Sequence, residues 1–147
     1  MIAVVQRVTS AKVEVEGQTV GQIGQGLLVL ASVCKDDTED DLTWMTRKLA
    51  GLRIFRNGDK HFDRDVQQVG GSMLLISNFT VAAETSQGRR PSLDAAAPPE
   101  QAIALFDQFV ALVRATNIPV ATGQFGANMQ VTLTNDGPAT FILNSRS

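Results

Sequence analysis

Residues 26–34 read GLLVLASVC, and this apolar run decides the fold. From Leu27 to Ala31 it is continuous over the length of a strand, without the alternation of a half-exposed strand. A strand of this composition is covered on both faces, as at the centre of a layered structure. A second apolar run, SMLLISNFTV from Ser72 to Val81, has the same character. The two runs predict neighbouring central strands, the second of them continuing to Val81.

Strand patterns also occupy both ends of the chain. Ile2 to Val8 and Lys12 to Glu16 form two runs typical of strands. Near the other end, residues 129–134 alternate between apolar and polar side chains. A turn is then predicted at residues 135–138, followed by a last strand from Ala139 to Leu143.

Two helices are predicted between these strands. Thr38 is a suitable N-cap, with Asp41 three residues later, and apolar residues at helical spacing continue to about Gly51. A long irregular loop covers residues 83–98, and a second helix runs from Pro99 to about Asn117. About seven to nine strands and two helices in mixed order predict an α/β fold in which helices cover one face of stacked sheets.

Composition places the chain among ordinary folded proteins. At 147 residues we expect a single domain, residues 1–147, and 44% hydrophobic with 19% charged residues excludes disordered and fibrous classes. The net charge of −2 requires any nucleic-acid partner to be met by a local patch. No apolar run approaches the roughly 20 residues of a membrane span, and the first residues lack signal-peptide features. We therefore expect a cytoplasmic protein without a membrane partner.

The chain is poor in side chains for acid–base or metal chemistry. Cys34 and His61 are its only cysteine and histidine, so we expect neither a disulfide nor a zinc site, no metal and no cofactor. The pattern favours an exposed loop histidine over a catalytic triad member, and a buried inert thiol over a nucleophile. An enzyme with this composition would have to use backbone groups or the substrate itself.

Two segments fit that requirement. Residues 77–80, Ser-Asn-Phe-Thr, interrupt the end of an apolar strand, where backbone N–H groups can face a developing oxyanion. In residues 135–140, Gly137 and Pro138 can present a backbone carbonyl rigidly and at close range. The pattern by itself favours plainer interpretations, a solvent-facing strand end and an ordinary turn.

At these two segments the sequence resembles the D-aminoacyl-tRNA deacylases, formerly called D-tyrosyl-tRNA deacylases. The similarity runs nearly from end to end, and several independent motifs in one order distinguish it from a chance match. The stretches that carry it are MIAVVQRVTSAKVEVEG (1–17), GLLVLASVCKDD (26–37), RIFRNG (53–58), DVQQVGGSMLLISNFT (65–80), GRRPS (88–92) and TGQFGANMQVTLTNDGPATF (122–141).

The resemblance implies a single-domain, three-layer β/β/α mixed-sheet fold and a homodimer. It implies hydrolysis of the ester that joins a D-amino acid to the 3′-terminal adenosine of tRNA, which is chiral proofreading in translation, with activity extending to glycyl-tRNA. The implied partner is the 3′ end of an aminoacylated tRNA, not DNA.

The resemblance also assigns a catalytic segment. Ser77, Phe79 and Thr80 match a Ser-Gln-x-Thr motif whose main-chain N–H groups polarise the ester carbonyl. Thr80 has no general base beside it in sequence, so its role is backbone donation and site shape, with the terminal ribose 2′-hydroxyl assisting hydrolysis. Asn78 stands where the family has glutamine, and it is one methylene shorter. A direct hydrogen bond from this position to the substrate is therefore either lost or mediated by water.

Seven further residues are implied to bind the substrate. Gly137 and Pro138 match a Gly-cis-Pro motif that reaches across the dimer, where its carbonyls hold the substrate amino group and exclude an L side chain. Arg7 matches the arginine that braces this motif. The wall of the aminoacyl pocket is assigned to Phe125, Gly126, Ala127 and Met129. By pattern alone, Phe125 and Met129 would be core residues.

Two alternatives remain open at this stage. The chain could edit another mischarged tRNA, such as one carrying glycine or L-alanine, or it could be a non-catalytic tRNA-binding module of the same fold. RNA contact is assigned to a basic patch, for which a solvated face is the competing interpretation. The patch comprises Arg47, Lys48, Arg53, Arg56, Lys60 and Arg64, with Arg89 and Arg90 as an added basic loop.

Overall fold

The computed structural model describes residues 1–147, which form eight strands, two α-helices and one short 3-10 helix. In chain order the elements are β1 (Ile2–Val15), β2 (Gln18–Ile23), β3 (Gly26–Ser32), α1 (Glu39–Gly51), β4 (Phe55–Asn57), β5 (Lys60–Arg64), β6 (Ser72–Ser77), the 3-10 helix (Phe79–Ala82), α2 (Pro99–Arg114), β7 (Val120–Thr122) and β8 (Gln130–Asn144). Neither α-helix combines the length and the apolar character needed to cross a membrane.

One six-stranded mixed sheet organises the fold, and β1 is its hub. The strand order is β2-β1-β3-β6-β7, with β8 also paired to β1. β1 pairs antiparallel with β3 through its first half, with β2 through its second half, and with β8 along most of its length. The β3–β6 and β6–β7 pairs are parallel. Because β2 also contacts β6 and β7, the sheet curls toward closure.

Apolar residues form two clusters on opposite faces of the central strands. Leu27 and Val29 of β3 belong to a cluster of 23 buried residues shared with α1 and α2. Leu28 of β3, with Leu74 and Ile76 of β6, belongs to a second cluster of seven that the curled part of the sheet covers. The predicted β/β/α layering is therefore confirmed, as is the burial of β3 on both faces.

The first helix begins where its capping residues predict. The Thr38 N–H donates to Asp41 Oδ2 at 2.8 Å, which satisfies a donor at the helix start. Leu42, Met45 and Leu49 of α1 are buried in the larger cluster. The second helix begins at Pro99, as predicted, and ends at Arg114, three residues before the predicted Asn117.

Three strand predictions were wrong in their boundaries. The two runs at the beginning of the chain form one strand, β1. The predicted strand from Ser72 to Val81 ends at Ser77, because Asn78 starts a 3-10 turn. The turn predicted at residues 135–138 lies inside β8, where pairing moves from Val8↔Asn135 to Gln6↔Thr140. Residues 136–139 therefore bulge out of the ladder without ending the strand.

Candidate active site

A cavity of about 930 Å³ opens at the edge of the smaller apolar cluster. Ser77, Asn78 and Phe79, where β6 passes into the 3-10 helix, form part of its wall, and residues 125–129 before β8 form another part. The structure thus brings together two segments that lie far apart in sequence. The remaining lining residues are Leu28, Leu30, Val33, Ile76, Leu93, Ala96, Ala97, Pro98, Pro99, Ala102, Val131 and Leu133.

The cavity lining carries no ionisable side chain. Its polar side chains are those of Ser77, Asn78 and Asn128, and every other lining residue is apolar or glycine. Cys34 and His61 do not line the cavity. Burial raises the pKa of the Cys34 thiol, which keeps it protonated. Acid–base chemistry in the cavity must therefore use the substrate, water or backbone groups.

Asn78 organises the turn at the end of β6. Its Oδ1 accepts a hydrogen bond from the Thr80 N–H at 3.2 Å and another from the Thr80 hydroxyl. Its own N–H donates to the main-chain oxygen of Ala31 at 2.8 Å. The side chain thus caps the 3-10 helix, the role that Asn commonly plays at a helix start.

This capping changes the availability of the predicted oxyanion donors. The N–H groups of Asn78 and Thr80 are bonded within the protein, and Thr80 does not line the cavity. Phe79 does line it, and this residue is 57% exposed. Among the predicted catalytic residues, Ser77, Asn78 and Phe79 therefore line the cavity. Thr80 does not line it and instead donates two hydrogen bonds to the Asn78 side chain.

Residues 125–129 form a compact turn facing the cavity. Gly126 has a φ of +75°, a left-handed conformation that residues with a side chain rarely adopt. The Ala127 N–H closes the turn on the Gln124 oxygen at 3.2 Å. Phe125 is 37% exposed, so it is not the core residue that its pattern alone indicates. Asn128 was not predicted from the sequence, since a polar residue in an exposed turn carries no signal of its own.

Gly137, Pro138 and Arg7 lie outside this cavity within one chain. Gly137 and Pro138 are exposed on the β8 bulge, and the peptide bond between them is cis. Arg7 is buried beneath the bulge. Its Nε donates to the Asp136 main-chain oxygen at 2.9 Å and its Nη1 to the Ile54 oxygen at 2.6 Å.

The positive charge of Arg7 is paired with one carboxylate, that of Asp136. Burial lowers the pKa of the Arg7 guanidinium, and the nearby Asp136 charge opposes that effect. The Asp136 carboxylate lies 3.2 Å from Arg7 Nε and accepts two bonds from Arg56 Nη1 at 2.9 and 2.8 Å. Arg64 in turn donates to the Arg56 oxygen at 3.1 and 2.9 Å. The β4–β5 hairpin is thereby tied to the bulge.

The predicted basic patch does not form one free surface. Arg53 and Lys60 pair with Asp63 at 3.0 and 3.8 Å, and Arg56 pairs with Asp136. Lys48 lies over the Trp44 ring, with Nζ 5.8 Å from its centroid, on the exposed side of α1. Arg89 and Arg90 are exposed on the loop before α2.

The sequence and the fold are similar to those of known proteins. The sequence model of the family described as D-Tyr-tRNA(Tyr) deacylase matches residues 4–144. A protein of Geobacter sulfurreducens named D-aminoacyl-tRNA deacylase is 54% identical over 147 residues, which cover 100% of this chain and 97% of the relative. A protein of Desulfitobacterium hafniense with the same name is 53% identical, over 99% of this chain and 97% of the relative.

Two solved structures share the fold. One, titled c-Myc DNA Unwinding Element Binding Protein, superposes with a TM-score of 0.95 at 38% identity and full coverage of both chains. Another, titled as a structural analysis of a probable eukaryotic D-amino acid tRNA deacylase, has a TM-score of 0.81 at 16% identity over 97% of both chains. With the family match along the chain and relatives above 50% identity, the chain belongs to the D-Tyr-tRNA(Tyr) deacylase family.

Proposed function

We propose that the protein hydrolyses the ester bond of D-aminoacyl-tRNA, releasing a free D-amino acid and tRNA, and so proofreads chirality in translation in the cytoplasm. Family membership and the names of its relatives support this activity. The observation that carries it is the cavity between Ser77–Phe79 and Phe125–Met129, which is lined by no ionisable side chain. A cavity of this kind suits a reaction in which the substrate supplies its own acid–base group.

Hydrolysis at this site needs one backbone donor and one water. We assign the Phe79 N–H to the ester carbonyl oxygen, because the N–H groups of its two sequence neighbours, Asn78 and Thr80, are bonded within the protein. Water adds to the carbonyl carbon, the bond to the ribose 3′-oxygen breaks, and that oxygen leaves with a proton. The ribose 2′-hydroxyl relays this proton, since no side chain of the cavity can do so.

Chiral selection is assigned to a second copy of the chain. Gly137 and Pro138 lie outside their own cavity, yet the bulge that carries them is exposed and held by Arg7 and Asp136. In the proposed homodimer, this bulge enters the cavity of the other subunit, where its carbonyls hold the substrate amino group. Exposed Ile142 on the same strand and the half-buried Val131 and Leu133 at the cavity supply apolar surface for such a contact.

The same arrangement predicts activity toward glycyl-tRNA. A backbone bulge that leaves no room for an L side chain does not obstruct glycine, which has no side chain. Asn78 in place of the family's glutamine does not alter this steric argument, because selection comes from the bulge.

The test is hydrolysis of D-tyrosyl-tRNA, L-tyrosyl-tRNA and glycyl-tRNA, side by side, by purified protein treated with a chelator. We expect rapid loss of the D and glycyl esters and persistence of the L ester. Equal cleavage of both tyrosyl enantiomers would contradict chiral selection. Tight tRNA binding without turnover of any ester would instead identify a non-catalytic module.

A further inference from the structure

We propose that Arg89 and Arg90 bind backbone phosphates of the RNA strand whose 3′ end carries the ester, and so hold that strand at the mouth of the cavity. This inference rests on the proposed function, because it concerns the same site and the same substrate.

The arginines lie at the tip of a hairpin-like loop with a fixed base. Glu84 and Ser92 exchange two backbone hydrogen bonds at 2.9 and 2.8 Å, which closes the base of the loop. The Glu84 carboxylate accepts the Ser86 N–H at 2.7 Å. The seven residues between the closing pair, 85–91, contain both arginines and are exposed. The tip is therefore presented from a defined position.

The chain that follows this loop is part of the cavity wall. Leu93, Ala96 and Ala97 line the cavity. This segment is attached to the end of β3, where the Ala97 N–H donates to the Val33 oxygen at 2.9 Å and the Lys35 N–H to the Ala95 oxygen at 3.1 Å. The arginine-bearing tip thus continues into one side of the cavity wall, and in this proposal the nucleotides before the terminal ester leave the cavity on that side.

The charge of the tip suits phosphate groups. Residues 85–91 carry two positive charges and no negative one. Neither Arg89 nor Arg90 forms an ion pair or a side-chain hydrogen bond within the protein, so their guanidinium donors are free for a ligand. The planar fork of a guanidinium matches two phosphate oxygens.

Most other cationic groups are engaged or distant from the cavity lining. Six of the thirteen Lys and Arg side chains form ion pairs within the protein, namely Arg7, Lys12, Arg53, Arg56, Lys60 and Arg146. Arg47 and Lys48 are exposed on α1, an element that contributes nothing to the cavity wall. With a net charge of −2, the protein needs a local cationic contact for RNA, and the loop tip offers two adjacent free guanidinium groups on the chain that continues into the cavity wall.

The experiment compares two substrates that share the ester but differ in phosphates. D-tyrosyl-tRNA has the full backbone, whereas the 3′-D-tyrosyl ester of adenosine has no phosphate. For the double variant Arg89→Ala with Arg90→Ala, we expect KM for the tRNA to rise about tenfold or more, with kcat unchanged. The slope of log KM against log salt should fall by about 1.4, from about 0.7 per phosphate contact on a single strand. Hydrolysis of the adenosine ester should remain at the wild-type rate.

Two matched variants serve as controls. Arg47→Ala with Lys48→Ala removes the same charge from the α1 part of the predicted basic patch, and we expect it to raise KM for the tRNA less than the loop variant does. An equal rise in KM in the two variants would show a general charge effect and overturn the inference. Arg89→Lys with Arg90→Lys keeps the charge and should restore most of the affinity. If the loop variant retains wild-type KM and salt dependence, the inference is wrong. If it loses activity on the adenosine ester as well, the arginines act on the chemistry or the fold and the inference is also wrong.

Failure of the proposed function gives a different result. Wild-type protein would then cleave neither ester, and affinity for uncharged tRNA would be measured instead. A loss of that affinity in the Arg89 and Arg90 double variant would support the phosphate contact independently of hydrolysis. Equal affinity of the two proteins would overturn it.

Discussion

The side-chain Nδ2 of Asn135 donates to the main-chain oxygen of Arg7 at 3.1 Å, and the Arg7 side chain donates back to the main-chain oxygen of Asp136 at 2.9 Å. Asn135 also bonds the Ala139 oxygen at 3.1 Å, which closes the bulge across its base. We call these hydrogen bonds from Arg7 and Asn135 the clasp. A Cβ on Gly137 would lie 2.2 Å from Asn135 Oδ1, so the clasp requires glycine at position 137. The exposed Gly137–Pro138 segment is therefore held by contacts from beneath.

Arg7→Lys should impair activity although it keeps the charge. Arg7 reaches the Asp136 and Ile54 oxygens from two different nitrogens of its rigid planar fork, Nε and Nη1, and a lysine has no such fork. We expect kcat/KM for D-tyrosyl-tRNA to fall about tenfold or more, corresponding to about 1.4 kcal/mol. Steady-state kinetics measure it, and Arg56→Lys, which changes only the exposed partner of Asp136, should have a smaller effect. Wild-type kinetics in Arg7→Lys would argue against the clasp as a positioning device.

Asn78→Ala should lower kcat, because it removes the cap that orders the turn beside Phe79. The loss of a cap costs about 1 kcal/mol, which is about fivefold in kcat if it acts on the transition state. Asn78→Gln should retain or raise deacylation, since it restores the residue usual in the family. Asn128→Ala removes a side-chain amide from the same cavity but leaves the 3-10 turn at Asn78 intact, so it is the matched control. A large fall in activity in Asn78→Gln would show that the shorter side chain is tuned to this chain.

The pH dependence of hydrolysis should show no inflection from an ionisable group of the protein. Because no ionisable side chain lines the cavity, log kcat/KM for the 3′-D-tyrosyl ester of adenosine should vary smoothly with pH, without a bell shape. Rates measured between about pH 5.5 and 8, corrected for spontaneous ester hydrolysis, test this. The α-amino group of the substrate accounts for one inflection in that range, so a second inflection would reveal a catalytic acid or base supplied by the protein.

Asp41→Asn should destabilise the fold in a pH-dependent way. Burial alone would raise the pKa of Asp41, but hydrogen bonds from Arg146, Ser145 and the Thr38 N–H outweigh it and hold the pKa well below its usual range. A lowered pKa contributes stability above the unfolded value of about 3.9, and that contribution is lost as pH falls.

Urea unfolding should therefore show a loss of about 2 kcal/mol for Asp41→Asn at neutral pH, the magnitude of hydrogen bonds to a charged group. The difference from wild type should shrink as pH falls below about 4. Asp40→Asn changes an exposed neighbour and should have little effect. A difference that is independent of pH would contradict the role of the Asp41 charge.

Gly26→Ala should prevent normal folding. A Cβ there would lie 1.8 Å from the Ser72 main-chain oxygen, at the point where β3 and β6 pair. Neither strand can move without disturbing the buried sheet, so we expect a loss of about 3 kcal/mol or more. Gly24→Ala, whose Cβ would meet nothing within 4 Å, should change stability by about 0.5 kcal/mol or less. Equal stability of the two variants in urea unfolding would contradict the close approach of the strands.

The amino-acid sequence by itself determined the features that depend on local pattern. The unbroken apolar run from Leu27 to Ala31 predicted a strand buried on both faces, because a strand with no polar face can occupy no other place. Thr38, Asp41 and the spacing of apolar residues located α1, since capping and helical periodicity act within a few residues. The resemblance to the family predicted further site residues within segments 77–80, 125–129 and 137–138.

Only the tertiary structure decided how those segments are used. Arg7 and Asn135 are 128 residues apart, and the hydrogen bond from the Asn135 side chain to the Arg7 oxygen depends on the register between β1 and β8, which no local period encodes. The same register makes residues 136–139 a bulge within a strand, where the local signal of Gly137 and Pro138 predicts a turn. Residues 77–79 and 125–129 likewise line one cavity because distant elements pack together. The hydrogen bond from the Thr80 N–H to Asn78 is local, but only the structure shows that it occupies this donor.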